Sequence, residues 1–236
     1  MPQFRERSYE LELLDEDNIP APDLHVNLRE LNTINTFLGG HAVTCNAMAS
    51  FRLQATKTYT VLDIGCGGGD NLRSIANWAR KNNLKLQLVG VDLKKECIQF
   101  AQKHCENYPE ISFVCADYRD FLNRHQKFDI ILNALFCHHF KEPDLEELFL
   151  KMKQQSTLGF FINDLHRHPF AYYSIKWLTQ LFSSSYLVKN DACLSVKRGF
   201  SYQELKQLLP ENSFINIQIN WKWAFRWLIV YKHAAR

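Results

Sequence analysis

The densest group of chemically useful residues is the run Val61-Leu62-Asp63-Ile64-Gly65-Cys66-Gly67-Gly68-Gly69-Asp70. An apolar stretch ends in a carboxylate and opens into glycines, which supply positive φ angles and bare backbone for the close approach of a ligand. The spacing is Gly65-x-Gly67-x-Gly69, and Asp70 stands where the G-x-G-x-x-G dinucleotide fingerprint needs its last glycine. A carboxylate at Asp63 suits a cationic ligand better than a pyrophosphate, which seeks helix N–H groups and a positive field. Two further acids repeat the arrangement. Leu86 to Val91 is apolar in alternation and ends at Asp92, followed by Leu93, 23 positions after Gly69. That is near the spacing of about 20 at which an acid meets ribose hydroxyls. Phe113-Val114-Cys115-Ala116 leads in the same way to Asp117 and Tyr118. The acids Asp63, Asp92 and Asp117 follow one another at 29 and 25 residues, the rhythm of successive βα units.

A second group could move protons. His138 and His139 close one apolar run, Ile130 to Phe136, and Asp164, His166, Arg167 and His168 close another. Histidine titrates near neutrality, so either set could serve as a base. Any one of the four is more readily a polar lining residue; their gathering at two strand ends gives the group its weight. His139 and His166 are the candidates for proton transfer. His138, Arg167, His168, Tyr173 and His41 are candidates for framing a substrate. The His166-x-His168 spacing alone is a weak metal signature, and no metal is expected.

The elements that must hold these groups read as follows. Strands are expected near 59–64, 85–92, 110–116, 128–133 and 157–163, with helices near 70–82, 94–107 and 144–154. This alternation is that of a Rossmann-like α/β sheet, mostly parallel, with helices on both faces. Residues 1 to 26 read as a polar, acidic arm broken by Pro20 and Pro22. Asn27 to Gln54 turns helical, interrupted at Gly39-Gly40-His41. Near the C-terminal end Ile215, Ile217 and Ile219, then Trp221 to Tyr231, alternate with polar residues, the period-two signature of strands. Aromatics among Lys and Arg also suit base stacking; packing under helices is the simpler reading. Between the fifth strand and this hairpin, Phe170, Tyr173, Trp177, Leu178, Leu181 and Phe182 form one helical stripe. Ser183 to Gly199 reads as a linking stretch, and Ser201 to Leu209 as a capped helix. The length of the insert, beyond what a crossover needs, suggests a lid.

Composition narrows the class. The 236 residues are enough for one domain, and 46% hydrophobic residues is ordinary for a globular chain. A net charge of +3 is too mild to imply nucleic acid. Seven scattered cysteines without a CxxC pair indicate neither a zinc site nor a disulfide framework, and free thiols suit the cytoplasm. No apolar run is long enough to span a membrane, and the first residues lack the features of a targeting peptide.

From VLDIGCGGGD through VGVDL and CADYRDF to FDIILNALFCHHF, the chain resembles the class I S-adenosylmethionine-dependent methyltransferases, more finely the bacterial small-molecule enzymes of the ubiquinone-biosynthesis type, and FLGGH, NDLHRHPFAYY and SVKRGF look like a subgroup associated with polyketide or phenolic-lipid pathways. The resemblance implies a seven-stranded sheet with an antiparallel last strand, within one domain. Its parts would be an N-terminal arm and cap helix (1–56), a cofactor-binding core (57–164), a lid (165–200), and a C-terminal helix and hairpin (201–236). It implies S-adenosylmethionine held by Asp63, Gly65, Cys66, Gly67, Asp92, Leu93, Asp117, Tyr118 and Asn133, with Asp92 on the ribose and Asp117 on the adenine amino group. An aromatic or lipid-like small acceptor would be methylated on oxygen or carbon. The acid that metal-dependent catechol-type relatives carry after the fourth strand is absent here, where Asn133 and Leu135 stand. Two alternatives remain open at this point: a protein or RNA methyltransferase, and a binding module without turnover. The oligomeric state is not legible.

Overall fold

The computed structural model describes residues 4–16, 18–124, 127–210 and 212–234. Two helices, α1 (Ala21–Phe37) and α2 (Gly40–Ser50), precede the sheet. The repeating units are β1 (Thr58–Ile64), α3 (Asp70–Lys81), β2 (Lys85–Asp92), α4 (Lys95–His104), β3 (Ile111–Cys115), α5 (Tyr118–Arg124), β4 (Phe128–Ala134), α6 (Glu142–Gln155) and β5 (Ser156–Leu165). Three helices follow, α7 (Pro169–Phe182), α8 (Tyr186–Arg198) and α9 (Tyr202–Leu208), and then β6 (Gln218–Lys222) and β7 (Arg226–Lys232). One sheet results, in the order β3-β2-β1-β4-β5-β7-β6, with β1 to β5 parallel and β7 antiparallel to both its neighbours. The order reverses direction between β1 and β4, the place where this kind of sheet opens a crevice at its carboxyl edge.

The sheet is covered on both faces because its strands are apolar on both. On one face Leu62, Ile131, Ile162 and Ile229 pack against Leu145, Phe149 and Met152 of α6 and Leu205 of α9. On the other, Val61, Ile130, Phe161 and Leu228 pack against Val43 and Met48 of α2 and Leu72 and Ile75 of α3. Each such side chain contributes about 1.5–3 kcal/mol by leaving water. Across β6, the turn and β7 the aromatic row divides. Trp227 and Tyr231 are buried in the first cluster, whereas Trp221 and Trp223 stay 47% and 67% exposed.

Several elements depart from expectation. The prolines read as breaks sit at the start of α1, Pro20 as its N-cap and Pro22 in its first turn, where a helix needs no N–H. Only the part before Ala21 is arm, and Asp17 within it lies outside the described residues. The first isoleucines of the C-terminal alternation fall outside β6 because Asn216 takes φ +73°. The stretch read as a link is mostly α8, capped by Ser185, whose Oγ accepts from Val188 N. The stripe on α7 divides: Leu178 lines a cavity, and its aromatics face away. Phe170, Tyr173, Trp177, Leu181 and Phe182 are all at least 40% exposed, and the opposite face packs inward through Ala171 and Thr179.

Candidate active site

Two neighbouring features occupy the carboxyl edge. The first is the glycine loop. Asp63 ends up 1% exposed, with neither carboxylate oxygen hydrogen-bonded. Burial, reinforced by Asp92 and Asp70, pushes it well above the usual carboxylate range. A buried acid with no partner is the residue a ligand ammonium would satisfy. Gly65 and Gly67 take φ +70° and +50°. A Cβ at Gly65 would fall 2.1 Å from the Phe136 ring, so only glycine lets that ring lie on the loop. At Gly67 the nearest atom to such a Cβ is Leu28 Cδ2, 3.8 Å away, which leaves its backbone open to a ligand. Asp92 accepts from Gly67 N and Lys94 N, each at 2.9 Å, which fixes its carboxylate beside the loop with lone pairs to spare. Leu93 stands 70% exposed next to it, an apolar surface at the strand end. Asp117 accepts from Arg119 N at 2.7 Å and stays partly exposed. These residues fit a cationic nucleoside with an amino-acid tail.

Three of the residues expected on this face serve the core instead. Asn133 is fully buried, with its amide 3.5 Å from Met152 Sδ and its Oδ1 accepting from Cys137 Sγ. Tyr118 is buried edge-on to Phe136 and Phe140. The Cys66 thiol packs beneath the loop, 2.8 Å from where a Cβ on Gly90 would lie.

The second feature is a cavity of about 400 Å³ between α1, α7, α8, the end of β4 and the β6–β7 turn. Its wall is mainly apolar, with Leu31, Ile34, Leu38, Leu165, Ile175 and Leu178 among the lining side chains. The end of β4 joins the two features. Leu135, at φ +53°, lines the cavity, and Phe136 next to it rests on Gly65.

A polar cluster closes part of this wall. His138 Nδ1 lies 2.7 Å from Asp164 Oδ1, and Asp164 also accepts from the backbone N–H of Phe136, Cys137 and Leu165. Burial alone would raise Asp164, but His138 and these donors hold it below its ordinary value. An ionised carboxylate can only accept, so it fixes the proton of neutral His138 on Nδ1 and frees Nε2. His139 is held alike, with Nδ1 2.9 Å from Asp15 Oδ1. Asp15 lies far below the carboxylate range: burial opposes this, but His139 and Arg198 outweigh it. Both Nε2 atoms face Glu12, at 3.6 Å from His138 and 3.9 Å from His139. Glu12 is buried, and desolvation raises it to about 7 against the pull of His139, Ser195 and Arg198. Among the described residues, Glu12, His138 and His139 also form a set able to hold a cation, with ligand atoms within 4.8 Å of one another.

The other proton-transfer candidate is displaced. His166 packs edge-on to Trp227 and tilted to Phe225 and accepts from Trp221 Nε1, outside the cavity wall. Burial, with His168 and Arg167 nearby, lowers it to about 4. His168 caps α7 and stacks on Phe225. Arg167 is a buried tie: it pairs with Glu204 and donates to the carbonyls of Phe4, Arg5 and Gly199. Tyr173 points outward. His41 lies between Asn32 and Asn71, bridging α1 and α3 rather than lining the cavity. Four groups that the sequence reading passed over do line or complete it: Glu12, Asp15, Leu135 and Arg226. The first two come from the arm and carry no local signal. Arg226 has one, as the lone charge at the head of an otherwise apolar strand, RWLIVY.

No helix of the described residues is long and apolar enough to cross a membrane. Residues 61–157 match a methyltransferase-domain family. The chain is 28% identical over 160 residues to the ubiquinone biosynthesis O-methyltransferase of Bartonella quintana, covering 65% of this chain and 59% of that one. It is 31% identical over 120 residues to the enzyme of the same name from Glaesserella parasuis, covering 48% of each. It thus spans about half the length of the curated relatives it matches. In fold it is similar to the plantazolicin methyltransferase BpumL, solved with a monoazolic desmethylPZN analog and SAH, at a TM-score of 0.65, 19% identity and 90% coverage of both chains. It is also similar to a SAM-dependent methyltransferase from Aquifex aeolicus, at a TM-score of 0.61, 14% identity, and coverage of 92% of this chain and 100% of that one. Residues 61–157 are thus similar to a methyltransferase domain, and the chain shares the fold of S-adenosylmethionine-dependent methyltransferases.

Proposed function

We propose that the chain methylates a hydroxyl of a small, largely apolar acceptor, with His139 as the base and His138 as its partner in orienting the hydroxyl. The reading rests on one observation above all. Two imidazoles, each anchored through Nδ1 by an aspartate, turn Nε2 toward the Glu12 carboxylate on the cavity wall, and they follow Phe136, which backs onto the glycine loop, by two and three residues. S-adenosylmethionine, when bound, supplies a methyl group already activated on sulfonium. What remains for the chain is alignment, exclusion of water and removal of a proton. Asp63 would hold the ammonium and Asp92 the ribose hydroxyls. The apolar wall would exclude water, and His139 Nε2 would take the hydroxyl proton, with Asp15 stabilising the resulting imidazolium. His139 is favoured because it is the more accessible of the pair, with 20% side-chain exposure against 3% for His138.

A second reading comes from the same cluster. A divalent cation on Glu12, His138 and His139 would lower the acceptor hydroxyl's pKa without a base. Calorimetric titration with S-adenosylmethionine, followed by a screen of phenolic acceptors, tests the proposal. No affinity for the cofactor or its demethylated product would sink it. Dialysis against a chelator separates the two readings: turnover persists with a histidine base and stops with a cation, returning when metal is restored. The reading concerns a small-molecule acceptor in the cytoplasm, and neither nucleic acid nor a membrane is part of it.

A further inference from the structure

Four arginines are buried among the described residues: Arg7, Arg167, Arg198 and Arg226. Three meet carboxylates, Arg7 with Glu142, Arg167 with Glu204 and Arg198 with Asp15. Arg226, 3% exposed, forms no ion pair, and Asp164 acts on its charge only from beyond ion-pair distance. Its Nη2 donates to Asn35 Oδ1 at 2.7 Å, and its Nε–H has no partner. Arg226 opposes Leu165 across the β5–β7 ladder, and both line the cavity. The guanidinium lies against the corner between α1 and α2, where a Cβ on Gly40 would come within 3.0 Å of Nη2. This is a different wall from the histidine cluster, which rests on the arm. An unpaired buried guanidinium is costly, and its planar fork suits a carboxylate above other partners.

We propose that Arg226 is an anion subsite of the acceptor cavity, so that the acceptor is an amphipathic hydroxy acid whose carboxylate pairs with this guanidinium. Leu31, Ile34 and Leu178 then cover its apolar body, and the hydroxyl meets His139. The inference depends on the proposed function for the acceptor's fate, but the pairing itself is measurable without turnover. Desolvation lowers Arg226 only to about 10, so it stays charged at neutral pH.

The test uses 6-hydroxy-2-naphthoate and its methyl ester as fluorescent probes, titrated into the full chain. The wild-type protein is expected to bind the acid at least tenfold more tightly than the ester. In Arg226→Met the two affinities should converge through loss of the acid alone. Gly40→Ala keeps the charge but crowds the guanidinium, and should reduce the preference several-fold while leaving ester binding unchanged. Equal affinities in the wild type, a preference that survives Arg226→Met, or binding of neither probe at millimolar concentration would overturn the subsite. So would a parallel loss of S-adenosylmethionine affinity in Arg226→Met, which would assign the guanidinium to the cofactor's own carboxylate. A wild-type chain that prefers the acid yet binds no S-adenosylmethionine would instead keep the subsite and refute the methyltransferase reading.

Discussion

The glycine loop and the acceptor cavity lie side by side but are built in opposite ways. The loop is local. Gly65, Gly67 and Asp63 adjoin in sequence, and Asp92 joins them from the neighbouring strand through a single hydrogen bond to Gly67 N. The cavity is assembled from distant parts. Glu12 reaches Ser195 across 183 residues, and Arg226 reaches Asn35 across 191. A face held by adjacent residues tolerates loss of a distant tie, whereas a face held by distant residues does not. Cofactor recognition and acceptor recognition should therefore respond to different substitutions.

The largest separation is expected at the base. His139→Ala should lower turnover by about 10²–10⁴-fold, with S-adenosylmethionine affinity held within twofold or so in a calorimetric titration. Near-normal turnover at saturating acceptor would remove the base assignment and leave the cofactor face intact. Arg167→Met comes next, because it strips a buried arginine from the arm, α8 and α9 together. Stability should fall by about 3 kcal/mol, toward the low end for a buried pair since Glu204 retains some exposure. Denaturant melts would detect this, and a variant of unchanged stability but weaker acceptor binding would return Arg167 to the substrate.

On the other face, Asp92→Ala should remove a charge-assisted contact worth about 1.5–3 kcal/mol. Cofactor binding should weaken roughly tenfold or more, while the acid and ester probes bind as before. Asp63 sharpens the same comparison. Burial pushes its carboxyl upward, and a bound ammonium would pull it back down. Cofactor affinity should fall with decreasing pH, and an affinity that does not change with pH would count against a cation at Asp63.

Glu12 gives a smaller effect with a definite sign. Its folded pKa of about 7 lies above the ordinary 4.5, so the folded chain binds more protons than the unfolded one between these values. Stability from this group therefore falls as pH rises from 4.5 toward 7, by at most about 1.4 kcal/mol per pH unit. Glu12→Gln should flatten that slope, and an unchanged slope would mean that Glu12 is ionised in the folded chain. The smallest effect belongs to the outward face of α7. Tyr173→Ser should leave acceptor and cofactor binding within about twofold, since surface changes away from a site are small.

The same division explains how much the sequence reveals. Strand-end acids, glycines and crossover helices are legible because their signals are contiguous and periodic. α8 is not, because Asp191 and Arg198 interrupt its buried face where apolar residues would have marked a stripe. Asp191 spends its charge on the backbone N–H of Leu13 and Leu14, and Arg198 on Asp15 and nearby carbonyls. α7 misleads for the converse reason: its visible aromatics face outward. His138 and His139 are legible as a pair, but not the acids that orient them. Asp15 comes from the arm and Asp164 from the end of β5, and neither has a fixed spacing from its histidine. His166 and His139 look equivalent as strand-end histidines. Only the packing of Trp227 over one of them tells them apart.

The threaded arm also sets an order of assembly. Arg7 donates to the carbonyls of His138, Phe140 and Arg198, and Ser8 N donates to Lys197 O. The arm is made before any of these partners exists. Closing so long a loop is entropically slow compared with forming adjacent βα units. During synthesis the glycine loop gains its strand neighbours early, while Arg7, Glu12 and Asp15 wait in water until α8 has been made. The glycine-loop face is therefore assembled before the cavity beside it can close.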